Sequence, residues 1–230
     1  MIQKPPIFVT GIQRSGSTMV AKILKQSGVF TGETSSTMEH KKTNFLLSSL
    51  YRQNGWDVKG QYPLPNAEGG VPVLPDNFLK RFENYMYSEG YGHGQDWLVK
   101  GHKLLQIWKL WITLYPSAKW IIVRRRPTDV IESCEKTAYM NRYNDTRVLQ
   151  SIEKETPGEG WLWWIHENER FLNSMIAAGL NYRVIWPERM AQGDFQQIEE
   201  LHRWLGIEYN EEKVRELIEP MMQHSKQRIQ

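Results

Sequence analysis

Four short apolar runs, each separated from the next by longer stretches with helical spacing, constrain this chain more than any other feature. The runs are Ile7–Thr10, Trp97–Lys100, Trp120–Arg124 and Arg183–Trp186. Strands buried on both faces read as continuous apolar runs, and their alternation with helices is the pattern of a parallel sheet. The expectation is an α/β fold of three layers: a central, mostly parallel β-sheet flanked by helices. A helix should follow the first run over about Thr18–Gln26, and an almost wholly apolar one should run from Leu104 to Tyr115. Pro127 suits a first helical turn because its fixed φ is already helical. Trp161, Trp164, Ile165, Phe171, Leu172, Met175 and Ile176 fall at helical spacing, as do Ile198, Leu201 and Leu205 before Gly206.

No repeat or shift of composition divides the 230 residues, and that length suits a single domain, 1–230. The stretch from about Gly28 to Gln95 fits the alternation poorly. It holds a helix or two and the segment Gln61–Pro75, with four prolines and two adjacent glycines. Loops of that length are often lids or binding elements, an ordinary surface excursion being the alternative. Ten tryptophans fit either a core rich in rings or an aromatic cleft.

Charge and cysteine narrow the classes. Twenty-nine Lys and Arg against 26 Asp and Glu give +3, too mild for a nucleic-acid binder. No apolar run approaches the roughly 20 residues of a membrane span, and MIQKPPIFVTG carries no signal-peptide pattern. The lone Cys134 can form no internal disulfide and reads as packing rather than as a nucleophile. These features fit a soluble, cytoplasmic protein. His40, His93, His166, His202 and His224 make no ligand pattern, so no metal is expected. Nothing in the sequence reports the oligomeric state.

After the first run comes Gly11-Ile-Gln-Arg14-Ser15-Gly16-Ser17-Thr18, leading straight into a helix. Backbone N–H groups of such a turn, with the positive end of the helix dipole, cradle a phosphate. Gly16 allows close approach, Ser15, Ser17 and Thr18 offer hydroxyls, and Arg14 adds charge and a fork of donors. The spacing mimics a nucleoside-triphosphatase loop, but Ser17 stands where its lysine belongs. A strand ending in an acidic magnesium ligand is also missing: the second run ends in Lys100, the third in Arg124, and the one acidic candidate, Glu188, follows Pro187. Both gaps argue against a kinase.

The run Trp120-Ile-Ile-Val-Arg124-Arg125-Arg126-Pro127-Thr128-Asp129-Val130-Ile131-Glu132-Ser133 sets three arginines at the carboxyl end of a buried strand, the edge at which open α/β sheets bind ligands. Crowded like charges there need an anion or carboxylates such as Asp129 to offset them. Asp129 and Ser133 share a helix face beside those arginines.

Together these two motifs resemble the sulfotransferases that use 3′-phosphoadenosine-5′-phosphosulfate (PAPS), of the soluble prokaryotic or viral type with a P-loop-like fold. The resemblance implies that Arg14, Ser15, Gly16, Ser17 and Thr18 hold the 5′-phosphosulfate end, and that Arg125 and Ser133 hold the 3′-phosphate. Leu98-Val99-Lys100-Gly101-His102 is similar to the family's Lys-x-His run, which implies His102 as catalytic base, with Lys100 and Arg14 stabilising the leaving phosphate and the transferred sulfuryl oxygens. A histidine that merely caps a helix start is the alternative for His102, and Glu33 or Glu39 could replace it as base. Asn181–Glu188 and Trp204-Leu205-Gly206-Ile207 resemble the family's last strand and following helix.

Some positions depart from the family's pattern. Met19 stands in place of the tryptophan that stacks on adenine, Pro187-Glu188-Arg189 replaces Tyr-Glu-Asp, and the glycine-rich tail is absent. His224, Lys226 and Arg228 could supply replacement charge for the 3′-phosphate. No metal is implied. The acceptor would be a small molecule or a glycan hydroxyl (or amine), met by an acceptor-side cap over about 28–95. Tyr51, Trp56, Tyr62, Tyr85, Tyr87, Tyr91 and Trp97 could stack on it or could be core. Two other classes stay open: a P-loop phosphotransferase, which leaves Arg125 and Ser133 unexplained, and a non-catalytic nucleotide binder, which leaves Lys100 and His102 unexplained.

Overall fold

The computed structural model describes residues 2, 4–62, 64 and 70–227. Pro63, Pro65 and Gly69 of the proline-rich segment lie outside them, as do Arg228 and the side chains of His224 and Lys226. In chain order the elements are β1 (Ile7–Thr10), α1 (Ser17–Gln26), α2 (Lys41–Gln53), α3 (Phe78–Ser88), β2 (Leu98–Lys100), α4 (Lys103–Gln106), α5 (Trp108–Leu114) and β3 (Lys119–Val123). The second half holds α6 (Pro127–Glu135), a 3-10 turn (Arg142–Asn144), α7 (Thr146–Ser151), α8 (Pro157–Ala177), β4 (Tyr182–Ile185), α9 (Pro187–Ala191), α10 (Gln196–Leu205) and α11 (Glu211–Gln227).

The four strands form one parallel sheet in the order β2-β1-β3-β4. All four expected strands are present, shifted at most by a residue at each end. Side chains alternate across a strand, and the alternation sorts the core into two layers. Phe8, Val99, Trp120 and Ile122 face a cluster built with α2, α3, α4, α5 and α8. Ile7, Val9, Leu98, Ile121, Val123 and Ile185 face a second cluster built with α1, α10 and α11. Helices thus cover both faces, and the three-layer α/β arrangement stands.

Five tryptophans, Trp97, Trp111, Trp120, Trp161 and Trp164, are among the fully buried side chains, so the rings belong mainly to the core. Phe8 is their hub, with ring centroids 4.7 Å from Trp120 and 5.2 Å from Trp111. Such aromatic pairs add about 0.5–1.5 kcal/mol each beyond their area burial. Tyr51, Tyr91 and Trp97 are likewise buried, and Trp56, Tyr62, Tyr85 and Tyr87 are partly buried, so none of the seven aromatics read as either stacking faces or core stands out as an exposed platform.

The apolar helix expected over Leu104–Tyr115 is two helices, broken at Ile107 (φ −117°). The Gln106 carbonyl accepts the Gly70 amide at 3.0 Å, so it is drawn to a remote segment at the break. Helix α8 starts earlier than Trp161: Thr156 and Glu159 form a reciprocal capping box around Pro157 at the first turn. Between α1 and β2, residues 28–95 carry α2 and α3, which pack onto the first core layer.

Candidate active site

Strand β1 ends at Thr10, whose Oγ1 donates to the Gly101 carbonyl at 2.9 Å and fixes the exit of β1 against the exit of β2. Gly11 follows where a Cβ would lie 2.2 Å from the Val123 carbonyl oxygen, so only glycine lets β3 pass this close. The Ser15 amide donates to the Ile12 carbonyl at 3.1 Å and closes the turn. Gly16, in the left-handed region (φ 92°), then caps α1, whose first turn contains no acidic side chain. Arg14 also has positive φ (69°), an uncommon conformation for a residue with a side chain.

The loop encloses an unpartnered polar group. Ser15 is 1% exposed, and its Oγ is enclosed with no hydrogen-bond partner among the described residues. An orphaned buried hydroxyl costs about 1–3 kcal/mol. An anion seated at the helix N-terminus would accept it. Thr18 Oγ1 donates to the Thr37 carbonyl at 3.2 Å and is partly used within the chain.

The arginine-rich strand end arrives directly beside this loop. Arg14 Nε donates to Ser133 Oγ at 2.9 Å, and Arg125 Nη1 donates to the Arg14 carbonyl at 3.2 Å. The two motifs of the sequence therefore meet as one site. The three neighbouring arginines have separate partners. Arg124 pairs with Glu169, and Arg126 Nε lies 3.0 Å from Asp129 while its amide donates to Glu188. Arg125 has no carboxylate partner among the described residues, which leaves its charge available to an anion. Glu188 serves here as a backbone acceptor.

The second half of the site lies at the end of β2. Lys100 has a side chain only 8% exposed, with Nζ 3.4 Å from Glu39 Oε1. Burial lowers its pKa, Glu39 opposes that shift, and Arg14 adds to it. His102 stands at the start of α4 but caps no backbone group with its side chain. Its Nε2 is enclosed with no hydrogen-bond partner among the described residues. Burial holds its pKa well below the usual histidine value, Lys103 and Lys100 push it further down, and the Lys59 carbonyl works against them. The imidazole is accordingly neutral at ordinary pH.

Glu39, Thr43, Asn44, Lys100, His102 and Lys103 line one small cavity. Lys103, buried, gives its ammonium to Asn44 Oδ1 (3.1 Å) and Ser48 Oγ (3.0 Å), both neutral. Glu33, by contrast, is exposed and ion-paired with Lys41 at 2.5 Å. His40 Nδ1 accepts the Thr43 amide at 3.1 Å, and its Nε2 meets Glu89 at 2.9 Å with both side chains buried.

Of the residues expected at the site, Arg14 to Thr18 follow β1, Lys100 and His102 stand at the end of β2, and Arg125 and Ser133 follow β3, with Arg14 in contact with both of the last two. Sequence reasoning missed Lys103, which adjoins His102 in the chain, and two aromatics. Trp186, 37% exposed, follows β4 directly with the Arg124 guanidinium 5.7 Å from its ring centre, and Pro187 beside it touches Gly16. Tyr139 is 52% exposed near Lys59. Cys134 is buried, with its thiol pushed up to about 12 by burial, as packing requires. No group of three or more His, Cys, Asp or Glu suited to a metal occurs among the described residues, and no helix there is long and apolar enough to cross a membrane.

In this parallel α/β sheet a Gly/Ser loop after the first strand meets an arginine and a serine that follow the third. The model of the sulfotransferase family matches residues 5–211, and the chain belongs to that family. Its fold is similar to that of sulfotransferase STF9 from Mycobacterium avium (TM-score 0.56, 13% identity, 97% of this chain and 69% of that one). It also resembles the sulfotransferase domain from the curacin biosynthetic pathway (0.57, 15%, 92% and 77%) and a sulfotransferase from Alicyclobacillus acidocaldarius (0.53, 14%, 96% and 92%). At these identities the likeness is one of fold. No curated protein matches the sequence.

Proposed function

We propose that the protein moves the sulfuryl group of PAPS to a hydroxyl (or amine) of a small-molecule or glycan acceptor. The observation that carries this reading is the contact of Arg14 with Ser133 and Arg125, which joins two anion-binding elements at one sheet edge. A donor with phosphates at both its 5′ and 3′ positions needs such a pair. Arg14, Ser15, Gly16, Ser17 and Thr18 hold the 5′-phosphosulfate, with the orphaned Ser15 hydroxyl as a donor. Arg125 and Ser133 hold the 3′-phosphate; Ser133 accepts from Arg14, which leaves its own hydroxyl hydrogen to donate. The aromatic face for adenine comes from Trp186 at the end of β4 in place of the family's tryptophan.

In the reaction the acceptor oxygen attacks sulfur while the bond from sulfur to the bridging phosphate oxygen breaks. The acceptor's proton goes to His102, kept neutral by burial and by Lys103 and Lys100. Arg14 and Lys100 stabilise the charge that builds on the leaving phosphate. Residues 28–95 form the acceptor-side cap, which brings Glu39 to Lys100. One observation favours a second reading of the base: His102 Nε2 is enclosed, whereas the Glu39 side chain is 21% exposed.

A thermal-shift comparison of 3′,5′-adenosine bisphosphate, 5′-AMP and ATP with magnesium tests the donor site. A charge-assisted bond to the 3′-phosphate contributes about 1.5–3 kcal/mol, so the bisphosphate should stabilise the wild type far more than 5′-AMP. Arg125→Ala should bring the two nucleotides close together. A magnesium-dependent shift with ATP and none with the bisphosphate would overturn the reading in favour of a kinase.

A further inference from the structure

Gln13 precedes Arg14 in the first loop, yet its side-chain amide is engaged outside that loop: Nε2 donates to the Lys59 carbonyl at 2.6 Å. That carbonyl belongs to a tight turn over 57–62. The Asp57 carboxylate accepts the amides of Lys59 (3.1 Å), Gln61 (2.7 Å) and Tyr62 (3.0 Å), and the Gly60 amide donates to the Asp57 carbonyl at 2.9 Å. Gln61, fully buried, bonds the Tyr139 carbonyl and accepts the amides of Asn141 and Arg142, while Trp164 Nε1 donates to the Gly60 carbonyl at 3.3 Å. At the centre stands Gly60 (φ 65°), so close to the imidazole that a Cβ there would lie 2.2 Å from His102 Nε2.

The turn is therefore a cover on His102. On one side it is bonded to α8 and to the segment that follows α6. On the other it is bonded to the loop that begins the donor site. We propose that Gln13 is a positioning residue whose hydrogen bond to the Lys59 carbonyl, acting beside those of Gln61 and Trp164, helps seat Gly60 over His102 and ties this cover to the donor loop. The inference rests on the reading of that loop as the donor site and of His102 as the base. An acceptor can reach the enclosed Nε2 only if the turn lifts, and lifting it strains or breaks a bond to the loop that holds the donor.

Hydrogen exchange at the amides of Lys59, Gly60, Gln61 and Tyr62, all bonded within the turn, tests this in the wild type, Gln13→Ala and Gln13→Glu. Glutamate keeps the size of glutamine but has no hydrogen to donate when ionised. Both variants should exchange roughly fivefold faster at these four amides, the factor set by one net hydrogen bond, with β1 unchanged. The His102 ring, followed by NMR, should then titrate closer to about 6.5 as water enters. The charged groups acting on it, Lys103 of α4 and Lys100 of β2, stay in place, while the Lys59 carbonyl moves off.

Adding 3′,5′-adenosine bisphosphate should alter exchange at the same amides in the wild type and leave both variants unaffected. Unchanged exchange in Gln13→Ala, or faster exchange in Gln13→Ala but not in Gln13→Glu, would overturn the proposal. Should Gln13→Ala lose protection across the whole sheet, Gln13→Glu decides it. If the bisphosphate fails to bind the wild type, the donor reading falls, and the comparison without nucleotide still decides whether Gln13 positions the cover.

Discussion

On the proposed function His102 and Glu39 are the two candidate bases, and their surroundings separate them. His102 is a neutral imidazole held by burial and flanked by lysines; Glu39 is a carboxylate already facing the Lys100 ammonium. A positioned general base contributes about 10²–10⁴-fold. His102→Ala should therefore lower turnover by that factor with bisphosphate affinity nearly intact, and Glu39→Gln should cost much less. Steady-state rates beside nucleotide affinities check this, and the reverse ranking would move the base to Glu39. The loop proposed to hold the donor was legible because a phosphate cradle writes its requirements into adjacent positions: a glycine for close approach, hydroxyls, an arginine, then a helix. Gln13 and Gly60 were not. Their contacts reach Lys59 and His102 across some forty residues, and nothing local marks a glutamine whose partner is a remote carbonyl.

Among the elements, helix α8 carries a conflict between local preference and packing. Gly160 lies in its first turns, where alanine would gain roughly 1 kcal/mol of helix propensity. A Cβ there would sit 2.7 Å from the Tyr143 ring and 2.8 Å from Leu149 Cδ2. Tyr143 cannot retreat, since it is fully buried with its ring 4.6 Å from that of Trp161. Overpacking of this kind costs about 1–3 kcal/mol, so Gly160→Ala should lower the thermal midpoint; a rise would show that the ring has room. The same tension between local pattern and remote contact explains which elements could be read from sequence. The strands could, because burial on both faces demands unbroken apolar runs. The break at Ile107 could not, because its cause is the distant Gly70 amide.

Over the whole molecule, three histidines among the described residues have pKa values lowered by burial, and these should weaken the fold in acid. Burial is the leading cause at His40, His102 and His202, opposed by Glu89 at His40 and by the Ile198 carbonyl at His202. A folded pKa below the unfolded one means that the unfolded chain takes up the proton first. Stability from these groups is complete above the unfolded value of about 6.5 and is lost as pH falls from there toward the folded values. Each contributes a slope of up to about 1.4 kcal/mol per pH unit. Glu89, whose pKa is lowered by the Glu33 amide and Lys42 against the opposing effect of burial, acts in the same direction below about 4.5. Urea unfolding at pH 8, 7, 6 and 5 should show a plateau and then a steepening decline, and a flat profile down to pH 5 would refute it.

The strand order has a consequence for synthesis of the chain on the ribosome. β1 is made first and lies inside the finished sheet, yet its partners begin only at Leu98 and Lys119. At ordinary elongation rates it waits on the order of ten seconds for both neighbours. Throughout that interval four side chains destined for full burial, Ile7 to Thr10, have two open edges and no sheet to join. A nascent chain with this order leaves that strand without a sheet edge until β3 emerges. A ribosome stalled before Lys119 would present a sticky strand that already bears the residues of the donor loop but no site to place them in.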